Sequence, residues 1–342
     1  MNLYRQSLTP FFIAALALSI LPSVVAQEPT AKVVAFHGYT EAIELRRGNV
    51  KAVLCPQAGG RVLQFSVNGK QALFLDEQEK QWQPGKKTPI TAGRFDYGPE
   101  LVVLPHPTIW SGSWTAEIVG PAKARLTSPR EESAGVQLIR EFEIVGGSES
   151  ATDQRPWLAC RQTIVNIGSE PRDVCHWGRS FSPGGGIALV PLGEQSSRFP
   201  SRYAMYEDSA IINVRNVDER IRLRDGFLEI LGPPRKPKLG FDSYAGWLGY
   251  LMPNDSVFVK RFATYPDRVY NEAAGLTLSV WYPEGPRIEL EPIGPRERLQ
   301  PGQRATFTEG WWMLDHKFPA TGEKIDLVKL RKQVTRETTP VE

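Results

Sequence analysis

Hydrophobic and polar positions alternate along most of this chain in short runs, with a period of two rather than 3.6. Residues 41–46 and 50–54 alternate across Gly48-Asn49, a two-residue hairpin signal. Residues 61–67 follow Gly59-Gly60, and Asn68-Gly69 then turns the chain into a fourth short run over 71–75. The same pattern predicts strands over 115–119, 123–128, 135–145, 157–166, 172–180, 187–191, 211–217, 227–230, 246–251, 256–262, 276–281, 287–292 and 305–314. Between 76 and 112 no period survives; Trp82, five prolines and Trp110 read as a structured excursion over the mouth of the strands. Two polar loops are expected, over 146–155 and 193–209. Ile325, Leu327, Val328 and Leu330, set among charges, predict a short amphipathic helix packed on the outside. Many short strands, abundant Gly and Pro and scarce helical periodicity predict an all-β protein, a large antiparallel β-sandwich with few short helices.

The first residues do not belong to that pattern. Arg5 precedes an apolar run from Phe11 to Leu21, and Val24-Val25-Ala26 supplies small residues for cleavage. This reads as a signal peptide over 1–26, which implies an exported protein, periplasmic or secreted. The run is too short for a membrane span, and no stable span is expected after cleavage. A lead-in over 27–40, one β domain over 41–316 and a partly flexible appendage over 317–342 complete the expected organisation. Without Arg5 the chain carries 40 Lys+Arg against 38 Asp+Glu, interspersed, and this balance points to no nucleic-acid partner. Cys55, Cys160 and Cys175 are an odd set, expected as buried thiols. A hairpin at Gly168-Ser169-Glu170-Pro171 would set Cys175 opposite a residue near Ile164 rather than Cys160. No spacing suggests a zinc site, and no cofactor is implied.

Candidate chemistry begins near the C-terminus. Arg287-Ile288-Glu289-Leu290-Glu291-Pro292 reads as a strand that points Glu289 and Glu291 to one face, followed by the turn Pro301-Gly302 and a last strand ending in Trp311-Trp312. Two carboxylates on one strand face are costly unless the face lines a wet cleft or meets cations. Three further segments accompany this one: Asn49 to Pro56 with Gly59-Gly60-Arg61-Val62; Thr163 to Gly168 leading to His176-Trp177-Gly178; and Lys238 to Asp242 with Gly246 to Tyr250 and Phe258 to Phe262. Together, over roughly 41–314, they resemble the galactose-mutarotase-like (aldose epimerase-like) superfamily, and more closely a family of exported bacterial proteins with that fold.

The resemblance implies a mutarotase-like supersandwich that handles carbohydrate, mono- or oligosaccharide. Mutarotation needs a base for the anomeric hydroxyl proton and an acid for the ring oxygen. By resemblance the acid is His176 and the base Glu289 or Glu291, a choice the sequence leaves open. Asp242 falls where mutarotases hold a sugar-contacting aspartate. In the excursion, Arg94, Asp96, Glu100, His106 and Trp110 are candidate sugar contacts, since arginine and acids pair with hydroxyls and tryptophan stacks on sugar faces. Arg61 is a further candidate. The segment after His176 departs from the mutarotase pattern, with Trp177-Gly178-Arg179 in place of an aromatic-Phe-Asn segment. The rival readings are a non-catalytic glycan-binding protein, a domain acting on polysaccharide, and a structural envelope protein. The last of these would spend Glu289 and Glu291 in salt bridges far from His176.

Overall fold

The computed structural model describes residues 28–146, 155–208 and 211–341. The leader expected over 1–26 and the centre of the polar loop expected over 146–155 lie outside the described residues. Among the described residues, strands form two large antiparallel sheets packed face to face. No described helix is long and apolar enough to cross a membrane.

Alternation explains most of the strands. Val136–Val145 buries every second residue along its whole length, as a strand with one face on a core must. The predicted runs at 61–67, 157–166, 187–191, 227–230, 256–262 and 287–292 coincide with observed strands. Five differences stand out. Gly93–Gly98, inside the supposedly aperiodic excursion, is a strand at the heart of the first sheet. All six of its residues are buried, so no alternation marks it. The run over 71–75 contributes only Lys70–Gln71, and 211–217 only Ile212–Asn213. The strands Ala204–Tyr206, Ile221–Arg224 and Glu297–Leu299 are too short to show a period. Thr30–Phe36, in the lead-in, adds an edge strand to Tyr39–Arg47. Finally, Gly168–Pro171 is not a hairpin. Trp157–Asn166 pairs within the second sheet and Arg172–Pro183 within the first, so the segment crosses between layers. Cys175 therefore faces Gly98. All three cysteines are buried and free.

The core lies between the sheets, where Phe65, Phe95 and Phe258 surround Trp311 at ring distances of 5.9, 5.6 and 5.5 Å. Polar groups are embedded in it with partners. Lys260 and Glu309, both fully buried, pair at 3.0 Å. Lys260 also donates to Ser180 Oγ and to the Leu290 carbonyl, and Glu309 accepts from Trp311 Nε1 and Gln162. Gly178 crosses directly above this carboxylate: a Cβ there would stand 1.8 Å from Glu309 Oε1. On the outer face of the second sheet, the helix Leu327–Glu337 seats Leu327, Leu330 and Val334 against Trp247, Val259 and Trp312. Asp326 caps it by accepting from Lys329 N. The outer face of the first sheet, at the opposite side of the molecule, carries the cleft.

Candidate functional site

Five neighbouring strands build the cleft floor: Gly93–Gly98, Arg172–Pro183, Arg287–Pro292, Leu278–Trp281 and Lys238–Phe241, in that spatial order. Register decides which side chains meet. Arg94 lies opposite Arg179 and Asp96 opposite Trp177. Phe181 lies opposite Glu289, Glu289 opposite Trp281, Glu291 opposite Ser279, and Trp281 opposite Lys238. Residues directly opposite share a face. Trp177, Arg179, Phe181, Glu289, Glu291, Trp281 and Lys238 therefore stand on one surface. Above them is a cleft of roughly 580 Å3. Its rim includes Ile90, Glu100, Leu101, Tyr206 and Arg287.

The two glutamates share a face, as the sequence predicts, and both meet cations. Arg179 Nε donates to Glu289 Oε1 at 2.8 Å, and its Nη1 lies 3.8 Å from Asp96 Oδ2. Its guanidinium sits 4.9 Å from the Trp177 ring centre and 5.1 Å from that of Trp110. Lys238 Nζ donates to both oxygens of Glu291, at 2.8 and 2.6 Å, and Trp177 Nε1 donates to Glu291 Oε2 at 2.8 Å. The tryptophan thus ties the two ion pairs into one network. Glu289 lines the cleft; Glu291 is fully buried behind it.

That difference in burial separates their chemistry. Burial is the largest influence on Glu291. The Lys238 ammonium opposes it, the Glu289 charge adds to it, and the carboxyl is pushed up to about 7. A carboxyl whose folded pKa exceeds its unfolded value of 4.5 keeps a proton in the fold that the unfolded chain has released. This group's contribution to stability therefore falls as pH rises from about 4.5 to about 7. Glu291→Gln, neutral at every pH, should lack that decline. Urea midpoints for the variant and the parent, taken between about pH 5 and about pH 8, measure the difference. A difference that does not change with pH would mean Glu291 is ionised throughout.

The remaining candidates fall into two groups. Of the excursion's candidates, Glu100 lines the cleft, and Arg94, Asp96, His106 and Trp110 cluster beside it around Arg179. Arg94 donates to the Trp110 and Pro89 carbonyls and lies over the Trp110 ring, fixing the short helix Pro107–Ser111 above the sheet. His106 Nε2 meets Asp96 Oδ1 at 2.8 Å and Nδ1 meets the Leu104 carbonyl. Burial works against the His106 imidazolium, but Asp96 outweighs it and holds the group above its usual range. Glu100 extends from the rim, its backbone N–H donating to Glu272, a buried carboxyl that burial pushes up.

His176, Arg61 and Asp242 are not brought to this surface. His176 neighbours Trp177 in the chain and so points the other way, between the sheets. There it stacks on Phe307, and Nε2 reaches the Ala305 carbonyl at 3.2 Å. Burial pushes it down to about 4, so it stands neutral in the core, separated by the sheet from Glu289 and Glu291. The placement differs from that implied by resemblance because strand alternation forbids His176 and Trp177 a common face. Arg61, fully buried, bonds Glu79, the Tyr39 hydroxyl and the Ala58 carbonyl among the first strands. Asp242 accepts from Ser197 Oγ and Arg198 N, pinning a loop. The ion-paired glutamates, remote from His176, match one expectation of the envelope-protein reading. The cleft-lining carboxylates Glu100 and Glu289 do not.

Sequence reasoning did not single out Arg179, Lys238, Trp281, Phe181 or Tyr206. A signal was present for Arg179: two residues from Trp177, it must share that residue's face. Among the described residues no group of three or more His, Cys, Asp or Glu could hold a metal.

No family model matches the chain, and no curated protein matches it in sequence. Solved structures do match. A galactose mutarotase-like protein from Clostridium acetobutylicum has a TM-score of 0.59 at 12% identity, covering 84% of this chain and 99% of that one. A galactose mutarotase-like protein from Lactobacillus casei gives 0.56 at 11%, with 80% and 100% covered. The Slr1438 protein from Synechocystis gives 0.57 at 12%, with 83% and 100% covered. At these identities the likeness is one of architecture, and it agrees with the two large antiparallel sheets packed as a sandwich: the chain adopts the galactose-mutarotase-like fold.

Proposed function

We propose that the protein is exported and binds carbohydrate in the cleft over Glu289. One observation carries this reading: aromatic side chains and paired charges line the same concavity. Trp281, Phe181 and Tyr206 offer apolar surface, while Arg179, Lys238, Arg287, Glu100 and Glu289 offer donors and acceptors beside it. Sugars present just this mixture, C–H faces that stack on rings and hydroxyls that both donate and accept. The cleft volume falls in the range of small-molecule sites. Export rests on the leader-like segment alone. Isothermal titration against neutral and acidic mono- and oligosaccharides tests the reading, with Trp281→Ala as the comparison. Saturable binding that weakens about tenfold or more in Trp281→Ala supports it. Binding unaffected by the substitution, or none to any sugar, removes it.

A second reading, a cofactor-free aldose epimerase, is favoured by the unequal glutamates. The base must reach the sugar, and Glu289 lines the cleft whereas Glu291 does not. The proton donor on the same surface is Tyr206. Burial and the charges of Glu272, Glu291 and Glu100 push its phenol up, so it stays protonated but gives up its proton reluctantly. Anomeric exchange followed by NMR, accelerated by the protein and lost in Glu289→Gln, would establish this reading. Binding without exchange would leave the first alone.

A further inference from the structure

On the opposite side of the molecule a nearly buried arginine, Arg261, faces two adjoining cavities. This residue sits near the end of the strand Ser256–Phe262, across from Trp247 on one side and Gly310 on the other. Its neighbours Val259 and Trp247 pack beneath the C-terminal helix, so Arg261 belongs to the outer face of the second sheet. It is 9% exposed.

Two cavities adjoin there and share Arg261 and Ala245 as common walls. One, of roughly 410 Å3, also has Gln195, Tyr244, Trp247, Arg331 and Thr335 in its lining. The other, of roughly 490 Å3, has Thr264, Tyr265, Pro340 and Val341. The chain's last described residues thus form one wall of this space.

No hydrogen bond or ion pair among the described residues engages the Arg261 guanidinium, and its buried Nε has no partner. The other interior arginines have partners for their guanidinium ends, although Nε of Arg94 and of Arg140 is also unpartnered; Arg94 donates to the Trp110 and Pro89 carbonyls. Arg61 has Glu79, Arg179 has Glu289, and Arg140 donates to three carbonyls, those of Gly59, Gly60 and Phe95. Burial pushes Arg261 down with no carboxylate charge to counter it. An arginine cannot shed its proton to escape such a place. The second cation on the cavity wall, Arg331, donates to the Gly226 carbonyl and lies over the Phe227 ring, also without a carboxylate. Glu194 is the one acid in the lining of the first cavity; it is exposed and makes no ion pair with either arginine.

We propose that Arg261 anchors a second ligand site, which takes the oxyanion group, carboxylate or phosphate, of a small molecule held between the sandwich and its C-terminal segment. The planar guanidinium fork matches either group. Trp247, Tyr244 and Tyr265 provide surface for an organic body, and Arg331 supplies a second positive charge. The site does not depend on the carbohydrate reading of the cleft, from which both sheets and the core separate it.

Thermal unfolding of the full protein in inorganic phosphate, and separately in citrate, tests the proposal against sodium chloride at matched ionic strength. The expected result is a saturable rise in Tm of about 2 °C or more with at least one of the two. Response to phosphate alone, or to citrate alone, assigns the group. Arg261→Met should abolish the response and, without anion, be at least as stable as the parent, because it removes an unpaired buried charge. Arg130→Met, at an exposed residue outside both cavities, should keep the response. Thr335→Glu sets a carboxylate on the wall of the first cavity; it should raise the Tm by itself and blunt the effect of added anion, so the test survives if Arg261→Met fails to fold. No saturable rise in the parent protein, or an equal rise in Arg261→Met or Thr335→Glu, overturns the proposal.

Discussion

Replacing Lys260 with alanine should cost about 3–5 kcal/mol of stability, because it leaves the Glu309 carboxylate charged, buried and without its cation. Both partners are fully buried and 3.0 Å apart. Nothing in the vicinity can substitute. Gln162 and Trp311 offer single hydrogen bonds, and Gly178 closes the space above Oε1. The penalty belongs to the orphaned charge rather than to the pair itself, which has a consequence for the double variant. Lys260→Met with Glu309→Gln removes both charges and should recover most of the loss. Equilibrium urea unfolding of Lys260→Ala, of the singles Lys260→Met and Glu309→Gln and of the double decides the matter. If Lys260→Ala were as stable as the double variant, Glu309 would have to be neutral in the fold, and the ion pair would not exist.

The second large effect is expected at Arg179. Its guanidinium holds Glu289, lies near Asp96 and sits between the rings of Trp177 and Trp110. On the carbohydrate reading proposed above, alanine there should weaken binding about 100-fold, since Glu289 loses its orientation and becomes an unpaired, nearly buried charge. Arg179→Lys keeps the charge but not the planar fork, and should recover only part of the affinity. Adding Glu289→Gln to Arg179→Ala should restore stability without restoring binding, which separates the two roles. Carbohydrate affinity in Arg179→Ala equal to that of the parent would place the ligand elsewhere.

The fold was legible wherever a strand has one face on the core and one in a different environment. Val136–Val145 is the clearest instance. Where both faces are covered alternation is lost: Ile187–Pro191, Phe227–Ile230 and Ser256–Phe262 remain legible as short apolar runs, whereas Gly93–Gly98, with its two glycines and the charged Arg94 and Asp96, carries no such run although it lies in the middle of the first sheet. The site was legible in part for the same reason. Alternation alone placed Glu289 and Glu291 together. Their partners could not be read, because Arg179 and Lys238 reach them through strand pairings between segments far apart in sequence. His176 shows the limit of reading a role from position in a resemblance. Alternation along its own strand sets it against the core once Trp177 and Arg179 are assigned to the glutamates' face. Arg261 carried no signal at all, since an unpaired arginine is recognised only when every neighbour is known.

The strict division of labour along Arg172–Pro183 has an evolutionary and practical meaning. Trp177, Arg179 and Phe181 serve the cleft, while His176, Gly178 and Ser180 serve the interior. The same parity governs Glu289 and Glu291 against Leu290. On the proposed reading, recognition and folding are therefore written on interleaved positions of the same strands. If the cleft binds as proposed, a combinatorial library confined to the lining positions 179, 181, 238, 281 and 289 could exchange one ligand for another while the core between the sheets stays unchanged. The strands serve as a reprogrammable grid. On such a grid, very different sequences can keep one architecture and present quite different surfaces to what they bind.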